Sequence, residues 1–167
     1  SHIPILLNHA VNGKELLKSL SLTALANLAL DSASHKMIMK NINHIMYMVS
    51  KGTNVVQLQA LRLLVNLSCN KEVIPSLLMS EVPSDILDII RKPDDRELVL
   101  RLLTFLANIA TYAAEYVDSS SKTTLLSILY QYIKQTEFKS LSNLSSDEDE
   151  DISYQAKRLH DALLAVT

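Results

Sequence analysis

"LRLLVNLSCN", residues 61–70, places an asparagine, Asn66, in a run of leucines whose packing pattern would accept another leucine. Two further stretches do the same, "SLTALANLAL" (21–30) around Asn27 and "LLTFLANIAT" (102–111) around Asn108. A mid-helix asparagine is a mediocre helix former and costs free energy in a core unless its amide is hydrogen-bonded. One such residue is noise, but three in register need a cause. The asparagines lie 39 and 42 positions apart, and self-similarity at such a period is the signature of a helical repeat array.

Working outward from Asn66, the apolar positions Val56, Leu58, Leu61, Leu64 and Leu67 recur at steps of two and three. A helix apolar over so wide a face is sandwiched between neighbours. Shorter elements separate the long helices. "SHKMIMKN" (34–41) and "NKEVIPSLLMS" (70–80) read as short first helices, and "INHIMYMVSKG" (42–52) and "SDILDIIRK" (84–92) as middle helices. The middle helices are expected to stop at Gly52 and before Pro93, with Ser84 as an N-cap. Asp94, Asp95 and Glu97 then suit the positive end of the next long helix. The unit is short helix, middle helix, long helix.

The expected fold is therefore all-α, a right-handed superhelix of about three and a half to four repeats in one domain. Its units are a partial one at 1–31, full ones at 32–70 and 71–112, and a distorted one at 113–167. In the last, 120–138 reads as the middle helix, about 139–151 as an acidic, serine-rich insertion, and "ISYQAKRLHDALLAVT" as the long helix, with Asp161 in the asparagine's place. Composition agrees. Two glycines and four prolines in 167 residues are too few for the turns of a sandwich or barrel. A net charge of −2 gives no global pull toward nucleic acid or anionic membrane. A single cysteine, Cys69, excludes an internal disulfide framework and suits a reducing compartment. No apolar run reaches the roughly 18 residues of a membrane span. The abrupt, already periodic opening "SHIPILLNHA" reads as a piece of a longer protein.

The three-helix rhythm and the segments "NLA", "NLS" and "NIA" after leucines resemble armadillo-repeat proteins. That resemblance implies third helices lining a concave groove, with Asn27, Asn66 and Asn108 at the family's groove asparagines. There an amide could pair with the backbone of an extended partner, or tie neighbouring repeats together internally. Nuclear-import receptors of the family carry tryptophan one turn earlier. This chain has Thr23, Arg62 and Thr104 there and no tryptophan, so an import-signal groove is not expected. Arg62 and Arg101 should share the inner face, a local basic spot suited to an acidic or phosphorylated segment. Residues about 55–112, with "LRLLVNLSCN", "LLMSEVPSDIL" and "ELVLRLLTFLANI", also resemble the armadillo domain of the Alex (Armcx) family. That likeness implies an address in the cytoplasm, at the cytosolic face of the mitochondrial outer membrane, through an anchor outside these residues, and partners that distribute mitochondria.

Other features are weaker. "SSDEDED" (145–151) sets Ser145 and Ser146 before acids, a pattern open to an acidophilic kinase, in a segment expected to be exposed and self-repelling. The methionines of "MIMKNINHIMYM" (37–48) should mostly fill the core. Histidines 2, 9, 35, 44 and 160 lack metal-ligand spacing, and no phosphate loop or nucleophile motif occurs. The expectation is a non-enzymatic protein-binding scaffold with no cofactor and no metal. The alternatives are a self-association module and, against the net charge, an α-solenoid that binds nucleic acid.

Overall fold

The computed structural model describes residues 2–115, 123–134 and 138–166, with the backbone alone for 114 and 138. Its helices run in the order α1 (Ile3–Asn12), α2 (Glu15–Leu28), α3 (His35–Ile38), α4 (Ile42–Lys51), α5 (Asn54–Ser68), α6 (Ile74–Leu78), α7 (Asp88–Arg91), α8 (Arg96–Ala110), α9 (Leu125–Lys134), α10 (Phe138–Leu144) and α11 (Glu150–Leu164). Among the described residues the only strand-like pairing is one bridge, Glu81 to Thr124, which ties the loop after α6 to the start of α9. Among the described residues the fold is an all-helical solenoid.

The long helices α2, α5, α8 and α11 stack side by side in chain order, and the largest packing surfaces lie between consecutive members. Leucines on both flanks of α5 make this possible: Leu61, Leu63, Leu64 and Leu67 are all fully buried. In α8 the same work falls to Leu102, Leu103, Phe105 and Ile109. Burial of each such side chain stabilises the stack by about 1.5–3 kcal/mol before the entropy of ordering it is set against the gain. The methionines divide as a core stripe should, with Met46 and Met48 buried and Met37 and Met39 packed at its margin.

Helix ends follow local chemistry. Gly52 ends α4, its N–H donating to the Met48 carbonyl at 3.0 Å. Asp95 caps α8, its carboxylate accepting from the N–H groups of Glu97 and Leu98 at 3.1 Å each. Ser84 does not cap a helix. Residues 84–87 form turns, and α7 begins only at Asp88. The middle helix of that unit is accordingly one turn long.

The last unit departs most from its sequence reading. Part of 120–138 lies outside the described residues, but α9 packs on α6, the short first helix of the unit before, and so takes the first-helix place. The middle helix is α10, inside the stretch read as an insertion, where it packs on α11 and touches α7. The acids after it are not a loose run. Asp147 pairs with Arg96 at the start of α8 and accepts from the Asp149 N–H at 2.9 Å, and Asp149 caps α11 through the N–H groups of Asp151 and Ile152. Ser145 is half-buried and Ser146 exposed.

Candidate functional site

The four long helices define the register of the inner face. The helix caps of α5 and α8 lie 42 residues apart (Thr53 and Asp95), and those of α8 and α11 lie 54 apart (Asp95 and Asp149). One line of positions therefore holds Thr23, Arg62, Thr104 and Arg158, and the line one turn earlier holds Leu20, Gln59, Arg101 and Gln155. Asp161 falls one place out of register and points its carboxylate to solvent, 82% exposed.

Two of the three asparagines, Asn66 and Asn108, serve the stack itself. The last carbonyls of a helix have no partner within it, and Ala26 in the final turn of α2 carries one. The Asn66 side-chain amide reaches across from α5 and donates to it at 2.8 Å. One unit on, the Asn108 amide donates to the Ser68 hydroxyl at 2.9 Å, and that hydroxyl donates to the Val65 carbonyl at 2.7 Å. Val65 is the α5 counterpart of Ala26, so the same carbonyl is satisfied, now through a hydroxyl relay. Arg158 of α11 continues the series, its Nη2 donating to Asn108 Oδ1 at 3.1 Å while Nη1 holds Gln155 at 2.6 Å. The internal tie, one of the two uses open to a groove amide, is the one seen for Asn66 and Asn108. Asn27, the first of the three, is exposed. A second tie lies at the helix ends, where buried His35 donates from Nε2 to the Ala29 carbonyl at 2.7 Å and accepts at Nδ1 from Asn70 at 3.1 Å.

Four of the five sequence-derived groove residues meet at one recess. A cavity of about 260 Å³ opens on the inner face, and Thr23, Asn27, Gln59, Arg62, Asn66 and Arg101 line it. Asn108 lies outside it, beside Arg158. Arg62 is exposed and Arg101 half-buried, and neither has an acidic partner among the described residues. Two buried side-chain atoms there, Gln59 Oε1 and Arg101 Nε, have no hydrogen-bond partner. Such atoms cost about 1–3 kcal/mol each when left unsatisfied. One is an acceptor and the other a donor.

Arg158 and Gln155 escaped the sequence reading because placing Asp161 opposite Asn108 sets the last spacing at 53, whereas the helix caps give 54, which displaced the alignment by one residue. The aspartate caps before α8 and α11 were the signal that would have set it right. Elsewhere two ion pairs link residues of different units. Asp85 accepts from the Lys51 ammonium and from the Ser50 hydroxyl, the latter at 2.7 Å. The Lys51 hydrogen bond first, then that of Ser50, holds the Asp85 carboxyl below the usual carboxylate range. Arg96, followed by the Asp149 N–H, does the same for Asp147. Among the described residues no helix is long and apolar enough to cross a membrane, and no group of three or more His, Cys, Asp or Glu side chains could hold a metal ion.

Comparison with known proteins agrees with this geometry. Crystal structures of two engineered proteins from the Northeast Structural Genomics Consortium share the fold. The first superposes with a TM-score of 0.71 at 19% identity, covering 98% of this chain and 64% of its own. The second has a TM-score of 0.57 at 15% identity, covering 97% and 47%. The chain thus spans about two thirds and about half of their lengths. The sequence profile described as armadillo-like matches residues 6–130, well over half of the chain. With stacked long helices joined by short ones and a repeated cross-helix amide tie, the chain belongs to the armadillo-like family.

Proposed function

We propose that the recess between α2, α5 and α8 binds an extended acidic segment of a protein partner, making this domain a non-enzymatic interaction scaffold. The observation that carries the reading is the recess itself, lined by Arg62 and Arg101, which no acid among the described residues neutralises. A carboxylate accepts from Arg62 and Arg101, and the exposed amide of Asn27 offers both a donor and an acceptor to a peptide backbone. An acidic peptide brings both kinds of group on adjacent atoms. A phosphodiester backbone brings acceptors alone, which disfavours nucleic acid at this recess. The resemblance of residues about 55–112 to the Alex family supports work in the cytoplasm at the mitochondrial outer membrane surface, and, independently of that resemblance, the acids that follow Ser145 and Ser146 support these serines as phosphorylation sites.

Fluorescence polarisation with a labelled peptide of alternating glycine and glutamate tests the groove, with the glutamine counterpart and a single-stranded RNA of similar length as controls. Binding of the acidic peptide, weakened at least tenfold by Arg62→Ala with Arg101→Ala, is the expected result. Equal binding of the glutamine peptide, or no change in the double variant, overturns it. Tighter binding of RNA, with affinity falling steeply with salt, would assign the recess to nucleic acid instead.

A further inference from the structure

A second cavity lies away from the recess and shares none of its lining residues. It measures about 340 Å³ and opens at the joint between the first two units, where the start of α2 meets the end of α4 and the start of α5. Val11, Met48 and Val56 give it an apolar floor, and the last two are buried. Its polar side chains include Glu15 and Lys18 of α2 and His44, Tyr47 and Lys51 of α4. The last three follow steps of three and four, so they stand on one face of α4. The next joint is built differently. By the 42-residue offset between the helix caps, Ile86, Ile89 and Pro93 stand where His44, Tyr47 and Lys51 do. Ile86 is 1% exposed and Ile89 packs against the core, whereas His44 is exposed and Tyr47 is 58% exposed. Packing alone accepts isoleucine at both places, so the stack does not call for hydrogen-bonding side chains there.

The charges of this cavity are not cancelled within it. Lys51 is held by Asp85, which does not line the cavity. Lys18 donates to the Val11 carbonyl at 3.1 Å and forms no ion pair among the described residues. An ammonium has three N–H donors, so two of them are left for an anion. Glu15 accepts from the Thr53 hydroxyl rather than pairing with Lys18, and its carboxylate keeps further acceptor sites. We infer that this cavity binds the C-terminal residue of a protein partner, one with a large aliphatic side chain. Such a residue carries the three matching features on adjacent atoms. Its carboxylate accepts from Lys18, its backbone N–H donates to Glu15, and its side chain covers Val11, Met48 and Val56 beside the Tyr47 ring. The volume lies at the low end of the range for ligand sites, roughly 300–1,000 Å³, which suits one terminal residue rather than a length of chain. A small organic acid would use Lys18 and leave Glu15 without a donor. The inference stands apart from the groove reading.

The test is an NMR titration of the full chain with a glycine–serine peptide that ends in leucine and carries no acidic side chain. Saturable shifts of the Gly52 and Thr53 backbone amides are the expected result. The same peptide with a C-terminal amide, or with glycine as its last residue, should bind at least tenfold more weakly, and so should Lys18→Met with the original peptide. Because Lys18 also serves the Val11 carbonyl, a second variant separates binding from folding. His44→Ile with Tyr47→Ile copies the third unit's own residues, and should abolish binding without lowering the urea midpoint. Equal binding of the amide peptide, or unchanged binding by the double isoleucine variant, overturns the inference. Isocaproate, which has the carboxylate and the branched chain but no N–H, is the other arm. If it binds as tightly as the peptide, the cavity belongs to a small organic acid and the inference falls. Arg62→Ala with Arg101→Ala should leave this titration unchanged, so failure here leaves the groove untouched.

Discussion

Replacing Asn66 by alanine removes the donor that reaches the Ala26 carbonyl and leaves that oxygen without its partner in the last turn of α2. The expected cost is about 1–2 kcal/mol, read as a lower urea midpoint with an unchanged m-value. Asn66→Asp should be at least as damaging, because a carboxylate set against a carbonyl oxygen repels it. The register of the three asparagines was legible in the sequence, because a fixed period needs only counting. Their use was not. A donor on a helix face can serve a neighbouring helix or an outside ligand, and only the position of the Ala26 carbonyl decides between them. The groove arginines were legible for the same periodic reason. Gln59 gains its part from being buried beside Arg101, which no one-dimensional pattern reveals. Because Asn66 serves the fold, tests of binding belong on Arg62 and Arg101.

At the level of elements, the acidic stretch 145–151 shows how composition misleads when each residue has a separate position. Read as a run, the acids repel one another and should hold the chain extended. In the structure Asp149 caps α11, Asp147 is anchored to Arg96, and Glu150 and Asp151 occupy the first turn of a helix, where the macrodipole favours them. Asp149→Ala is expected to cost about 0.5–2 kcal/mol, while Asp149→Asn, which keeps the accepting oxygen, should recover most of the loss. Chemical denaturation followed by circular dichroism checks both. The long helices were plain in the sequence because their apolar faces are wide and sustained. The one-turn helices α3 and α7 were blurred, since so few residues carry too little periodicity to fix a boundary, and α10 was hidden by the serines and acids around it.

For the molecule as a whole, acid is the condition that loosens the joints between units. Lys51 and Asp85 join the second unit to the third, and Arg96 and Asp147 join the third to the last. Both carboxyls are held below their ordinary range, so the unfolded chain binds their protons more readily than the folded one. The stability these groups contribute is complete above about pH 4, near the unfolded carboxylate value, and is lost as pH falls through the lower folded values. The cationic partners are solvent-exposed and screened, so the loss should be a modest slope rather than a collapse. Resonances of the Asp85 carboxyl followed by NMR should titrate below the usual range and move upward in Lys51→Met.

Each third helix leans chiefly on the one before and the one after it, and this arrangement governs how the molecule deforms. Curvature is then the running total of small crossing angles that can change separately. Bending moves the walls of the recess closer or further apart without dissolving any packed layer. A stack joined in this way is expected to flex as a spring of few coils does.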